Sequence, residues 1–202
     1  MKKTLLTFLL IIFPLFTVFP STFTNTLDFG ASVFSINDEG SILADQMFDV
    51  GYRLVYSPKD FGFYWGGNLT FGIPVMTMAA SYNSFIGDVS AVFSFDSGSD
   101  FFMSFKIPFG YRWEESFIKN MGFYLGGGPA LQLNFRNNVY TAVSVFGELG
   151  FQTNKTADIG FHMGWQFSIS PLVFYEHSGY LEEIYSVEST IQAGMSWRRM
   201  KK

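Results

Sequence analysis

The sequence predicts an all-β chain closed into an antiparallel transmembrane β-barrel, with eight strands preferred over ten, behind an N-terminal signal peptide. Three observations predict it. Apolar and small polar residues alternate with period two along nearly all of the chain after residue 26. One face of that alternation is oily and almost free of charge, while the other is built from Gly, Ser, Asn and Gln. The chain also opens with a short basic segment followed by an apolar run.

At 202 residues the chain has the length of one domain, read as a leader over 1–22 and a barrel over 23–202. Aromatic residues make up 20% and charged residues 15%, against roughly 25% charged in soluble domains, so polar material is too scarce to coat a water-exposed surface. Mean hydropathy is only +0.19, which does not fit membrane helices that each need about 20 apolar residues in a row. The absence of cysteine removes disulfides, thiolate metal sites, thiol nucleophiles and anchoring through a lipidated cysteine. The net charge of −4 becomes −6 without Lys2 and Lys3, and argues against a nucleic-acid partner.

The leader runs from Met1-Lys2-Lys3 through an apolar stretch, Leu5 to Phe19, interrupted by Thr7, Pro14 and Thr17. The run is short for a spanning helix and Pro14 and Pro20 would break it, so cleavage is expected between residues 21 and 26.

The strands follow. Phe48, Val50, Tyr52, Leu54 and Tyr56 oppose Asp49, Gly51, Arg53 and Val55. Phe63 to Ile73 repeats the pattern opposite Tyr64, Gly66, Asn68, Thr70 and Gly72. Phe101 to Tyr111 stands opposite Phe102, Ser104, Lys106, Pro108, Gly110 and Arg112, and Phe123 to Phe135 opposite Tyr124, Gly126, Gly128, Ala130, Gln132 and Asn134. Then Val143 to Phe151 opposes Ser144, Phe146, Glu148, Gly150 and Gln152, and Ile159 to Ile169 opposes Asp158, Gly160, His162, Gly164, Gln166 and Ser168. Val187, Ile191, Ala193, Met195 and Trp197 close the series opposite Glu188, Thr190, Gln192, Gly194, Ser196 and Arg198.

A soluble lipid-carrying barrel would need its second face covered by well-hydrated groups. Small uncharged residues suit a crowded barrel interior instead, and the charge-free face suits lipid, where a charge at mid-bilayer costs roughly 2–4 kcal/mol. Backbone amides in lipid have no water to bond, so such a sheet must close.

An internal repeat sets the strand count. Gly51-Tyr52-Arg53 followed by Gly62-Phe63-Tyr64 is echoed by Gly110-Tyr111-Arg112 followed by Gly122-Phe123-Tyr124, with a looser third copy around 149–161. These hairpins are expected on the periplasmic side, flanked by an interfacial aromatic belt of Tyr56, Phe63, Tyr111, Phe123, Phe151 and Trp197. Outer loops are expected at 37–46 and 172–184. Either 74–99 is one long outer loop with an extended hairpin arm, or residues 75–83 form a tenth strand.

With its leader, its Gly-Tyr-Arg and Gly-Phe-Tyr hairpins and its final Gln192-Ala193-Gly194-Met195-Ser196-Trp197, the chain resembles the small outer-membrane barrels related to OmpX, OmpA and OmpW. The resemblance implies outer-membrane localisation, contact with outer-membrane lipid, and a C-terminal aromatic signal read by the barrel-insertion machinery. Here Arg198-Arg199-Met200-Lys201-Lys202 follow Trp197, a departure from that terminal aromatic.

The inward face collects Asp49, Arg53, Lys106, Arg112, Glu148, Asp158, His162, Glu188 and Arg198, read as a salt-bridge network filling a narrow barrel in preference to a conduit. His162 with Asp158 could form an acid–base pair, but no lipid-facing His-x-Ser accompanies it and His177-Ser178 falls in an expected loop. Asp96 to Asp100 lacks the remaining positions of a calcium loop, Gly126-Gly127-Gly128 precedes no helix and reads as close backbone packing or a bulge, and the Asn-x-Thr triplets at 68 and 154 are chance spacings. No cofactor is expected. The expected function is a non-catalytic barrel whose outer loops meet an extracellular ligand or envelope component. The alternatives are a narrow transporter and a lipid-modifying enzyme.

Overall fold

The computed structural model describes residues 23–38, 41–57, 62–83, 88–95, 101–113, 121–135, 139–153, 159–175 and 185–198. The expected leader, Asp158, His177-Ser178, the turn at 96–100, Asn154 to Thr156 and the tail beyond Arg198 lie outside the described residues. Ten strand segments are present: β1 (Phe23–Asp38), β2 (Ser41–Tyr56), β3 (Gly62–Asn83), β4 (Asp88–Phe95), β5 (Phe101–Lys106), β6 (Phe109–Trp113), β7 (Gly122–Phe135), β8 (Val139–Gln152), β9 (Ile159–Tyr175) and β10 (Tyr185–Arg198).

Ten segments make eight staves. β5 and β6 both pair with β3 on one side and β7 on the other, so they are one strand interrupted at Ile107-Pro108. Pro108 has no N–H to give to the ladder, yet its carbonyl accepts from Gly66 N at 2.9 Å and Ile107 N reaches Pro129 O at 3.0 Å. The wall therefore stays closed across the break. β10 pairs with β1 from Thr24–Arg198 to Asn37–Tyr185, which seals the ring.

The ring also fixes its own tilt. Stepping across hydrogen-bonded neighbours from Gly72 through Asp49, Gly30, Gln192, Gly164, Gly150, Tyr124 and Arg112 returns to β3 at Gly62, ten residues earlier. A stagger of that size goes with strands inclined by roughly 35–45° and an interior just wide enough for side chains.

β4 is outside the ring. Among the described residues it pairs with β3 alone, over Met76–Phe95 to Asn83–Asp88, forming the extended hairpin arm that was one of the two expectations for 74–99. The expected loop at 37–46 is a correction: β1 and β2 stay paired up to Asp38–Ser41, and β2 stays paired with β3 up to Ser41–Ser81. The polar composition that suggested a loop belongs to a hairpin outside the oily band, where strands have no need of an apolar face. The expected loop at 172–184 begins later, since β9 continues to Tyr175.

Burial is inverted relative to a soluble protein. Every charged side chain whose burial is described lies inside, and none of the exposed or half-buried ones is charged. Leu125, Val145, Ile159, Ile191 and Met195 are among the apolar side chains on the outside. Trp165, also outside, satisfies its indole N–H on Ser189 Oγ at 2.9 Å, as a buried-in-lipid donor must.

Candidate functional site: the barrel interior

Alternation delivers one residue in two to the lumen, and closure brings strands on opposite sides within reach. Three tiers result. Toward the end that carries the arm, Phe34, Ile36, Met47, Phe102, Ala142 and Val173 form an apolar plug, with Phe34 and Phe102 rings 5.3 Å apart. Toward the other end, Val55, Tyr64 and Tyr124 form an aromatic floor, the two tyrosines edge-to-face at 6.1 Å. Ion pairs fill the middle.

Two of these pairs cross the lumen. Arg53 on β2 forks onto Glu148 on β8, four staves away in a ring of eight, at 2.7 and 2.9 Å. Glu148 also accepts the Tyr64 hydroxyl at 2.7 Å and Gln166 Nε2 at 3.2 Å. Lys106 on β5 crosses to Glu188 on β10 at 3.0 Å, again four staves away, and donates to Gln166 Oε1 at 2.9 Å. Glu188 further accepts Ser168 at 3.1 Å, Thr190 at 2.9 Å and Gln132 Nε2. Each strut charge is thus paired and its carboxylate lone pairs are filled, the condition under which a buried charge is tolerated. Arg53 also lies 4.7 Å from the Tyr124 ring centroid and 5.6 Å from that of Tyr64.

His162 does not use the expected Asp158. Its Nδ1 meets Asp28 Oδ1 at 2.7 Å and its Nε2 meets the Tyr124 hydroxyl at 2.6 Å. The histidine is buried, and both of its nitrogens are occupied. Arg112 finds Gln152 at 2.9 Å instead of a carboxylate. Arg198 stands opposite Thr24 in the β1–β10 register. Asp49 is buried with neither carboxylate oxygen hydrogen-bonded. Among the described residues no three His, Asp or Glu side chains converge as a metal centre.

Sequence reasoning missed Asp28, Tyr64, Tyr124, Gln132 and Gln166 as members of this network. Tyr64 and Tyr124 carried a signal: each is a bulky residue on a face otherwise built of glycine and small polar groups. Their hydroxyls fill the space that glycines leave. A Cβ on Gly126 would collide with Tyr64 Oη, and one on Gly150 or Gly164 with Tyr124 Oη. The glycine triplet 126–128 is therefore close packing, as its place within a strand implied.

On the oily face the expected aromatics form contact chains. Phe23, Tyr56 and Trp65 follow one another at 5.2 and 5.6 Å, Phe63, Tyr111 and Trp113 at 5.4 and 5.3 Å, and Phe123, Phe151 and Phe161 at 6.2 and 6.1 Å. Trp197 lies 6.4 Å from Tyr52.

A closed ring of eight staves, an exterior without charge among the described residues and an ion-paired lumen define a small β-barrel of the outer-membrane type. One solved structure shares that architecture, and two others are similar to the chain. The outer membrane protein OprG from Pseudomonas aeruginosa matches with 11% identity over 90% of this chain and 97% of its own, at a TM-score of 0.52. Neisserial surface protein A matches with 15% identity over 89% and 98%, at 0.49. Ail, the attachment invasion locus protein of Yersinia pestis, solved with the heparin analogue sucrose octasulfate, matches with 14% identity over 87% and 99%, at 0.38. No protein-family model matches the sequence, and no curated protein sequence matches it.

Proposed function

We propose that the chain, exported by a leader over residues 1–22, is a non-catalytic outer-membrane barrel that acts as a surface-interaction protein through the β3–β4 arm and the neighbouring outer loops. The free edge of β4 carries this reading. Ser90 to Ser94 are all exposed, so neither face of the arm is covered by the barrel, and β3 is its sole described partner. An unpaired strand edge is a template for added chain, and Asp88-Val89-Ser90-Ala91-Val92-Phe93-Ser94-Phe95 has no Pro, Lys or Arg to blunt it. The arm end faces outward, and the aromatic chains at the opposite end lie in the periplasmic interface.

The lumen supports the same reading from the other direction. Among the described residues an apolar cluster and two cross-lumen struts occupy the lumen, and the buried His162 has both ring nitrogens taken. The test compares cells displaying the wild-type chain with cells whose Val92→Lys and Phe93→Lys substitutions charge the arm. Adhesion to surfaces coated with extracellular-matrix protein is expected to fall several-fold, with expression and the heat-dependent gel shift unchanged. Equal adhesion, or stepwise conductance from the purified protein in planar bilayers, would overturn the reading in favour of a transporter.

A further inference from the structure

The β3–β4 arm rises above its side of the barrel wall. β3 runs as one strand from the ring out to Asn83, while β5 leaves it at Gly72–Phe102 and pairs with β7 no further than Phe101–Phe135. β4 takes up pairing with β3 only beyond that point, from Met76–Phe95 to Asn83–Asp88, without a register shift. Among the described residues no strand pairs with the other edge of β4. The hairpin that presents this edge is fastened across its two strands by a 2.8 Å hydrogen bond between Ser81 Oγ and Ser90 Oγ, and Val92 and Phe93 are 66% and 62% exposed.

Charge and direction select what can pair there. The strand carries one charged residue, Asp88, at its outer end. Two copies aligned parallel and in register would set Asp88 beside Asp88, and like charges directly opposite are unfavourable. In an antiparallel pair a two-fold axis normal to the sheet centres the ladder on one residue. Centred on Ala91, it puts Ala91 beside Ala91, Ser90 beside Val92 and Asp88 beside Ser94, with the two carboxylates at opposite ends. Main-chain N–H and C=O groups then join two arms into one larger sheet, which is more stable than a lone hairpin.

The membrane decides where the second copy stands. Within one membrane the two-fold must lie along the membrane normal, and it turns strands inclined by roughly 35–45° into strands that cross at about 70–90°, too steeply to form a ladder. Between two facing membranes the axis lies in the plane midway between them, and the same strands meet antiparallel. We propose that the β4 edge pairs with the β4 edge of a second copy in an opposing outer membrane, so that the arm joins cells that carry this chain. The proposal rests on the surface-interaction reading of the arm and names its partner. One short edge is a weak contact, and many copies on facing surfaces multiply it.

The experiment uses host cells with truncated surface polysaccharide that display the full chain, in two cultures carrying different fluorescent proteins. Wild-type cells are expected to settle several-fold faster than cells without the chain, in clumps of both colours. Ala91→Lys in both cultures, or Ala91→Glu in both, is expected to abolish the clumping, because each sets like charges at the centre of the ladder. Both variants alter an exposed side chain and are expected to keep the heat-dependent gel shift. Cells with Ala91→Lys mixed with cells with Ala91→Glu are expected to clump again, a rescue that a folding defect would not allow. The proposal is overturned if wild-type cells stay dispersed, if either charged variant clumps by itself as the wild type does, or if the mixture of the two stays dispersed. Wild-type cells that stay dispersed yet adhere to matrix protein overturn this proposal alone and leave the surface-interaction reading standing, whereas cells that clump as expected yet fail to adhere remove only the matrix reading.

Discussion

Glu148 and Asp49 are both buried carboxylates in one lumen, on staves that face each other across it, and the barrel treats them oppositely. Glu148 accepts four hydrogen bonds, two of them from a guanidinium that spans the diameter. Asp49 accepts none. The difference lies in what the neighbouring staves bring. Around Glu148 stand Arg53, Tyr64 and Gln166, long enough to meet in the middle, while Gly30 and Gly72 flank Asp49 and Gly51 lies two residues along its own strand. One wall is a finished strut, and on the other the glycine makes room for the carboxylate itself, a Cβ at Gly72 standing 2.6 Å from Asp49 Oδ1.

The largest effect should come from breaking the strut. Glu148→Ala leaves the Arg53 guanidinium buried and unpaired, a loss of the kind that costs about 3–5 kcal/mol. Reversible urea unfolding in lipid vesicles should register that loss. The double variant Arg53→Met with Glu148→Leu removes both charges and should recover most of it, because buried pairs replaced by apolar residues of similar volume are often neutral. If the double variant were as unstable as the single one, the strut would contribute more than charge satisfaction.

Next in size is packing on the finished side. Gly126→Ala sets a methyl group against Tyr64 Oη and 2.7 Å from the Phe109 carbonyl, and the tyrosine is held in place by Glu148. Overpacking of this kind costs typically about 1–3 kcal/mol. A matching drop in unfolding free energy is expected, and Tyr64→Phe, which removes the clashing hydroxyl, should lessen it.

Much of this contrast was written in the sequence, though not its pairing. Period-two alternation identified Arg53, Lys106, Glu148, His162 and Glu188 as inward-facing, and the oily partner face led to the closed ring. Which charge meets which depends on closure and stagger, since Arg53 and Glu148 are 95 residues apart in the chain and meet only because β2 and β8 face each other. Asp28 could have been found, because Leu27, Phe29 and Ala31 alternate with Asp28, Gly30 and Ser32 as plainly as any later strand. The loop expected at 37–46 could not be told from strand, because outside the bilayer both faces of a hairpin are free to be polar. That Asp49 has no partner followed from no pattern; it depends on glycines in neighbouring strands lying beside it.

The smallest effects are expected on the Asp49 wall, and they test how tightly it is packed. A Cβ at Gly51 would meet Thr70 Oγ1 at 3.5 Å and Asp28 Cβ at 3.7 Å, ordinary van der Waals contact, and no positive φ is recorded there. Gly51→Ala should therefore change stability by under about 1 kcal/mol, with a gain if reduced freedom of the unfolded chain outweighs the crowding. Asp49→Asn should be similarly mild, since it removes a buried charge to which no cationic side chain is hydrogen-bonded. Urea midpoints for Gly51→Ala and Gly126→Ala, taken side by side, decide the matter. A loss at Gly51 as large as that at Gly126 would mean that the Asp49 wall is packed as tightly as the strut side, and the contrast between the two walls would collapse.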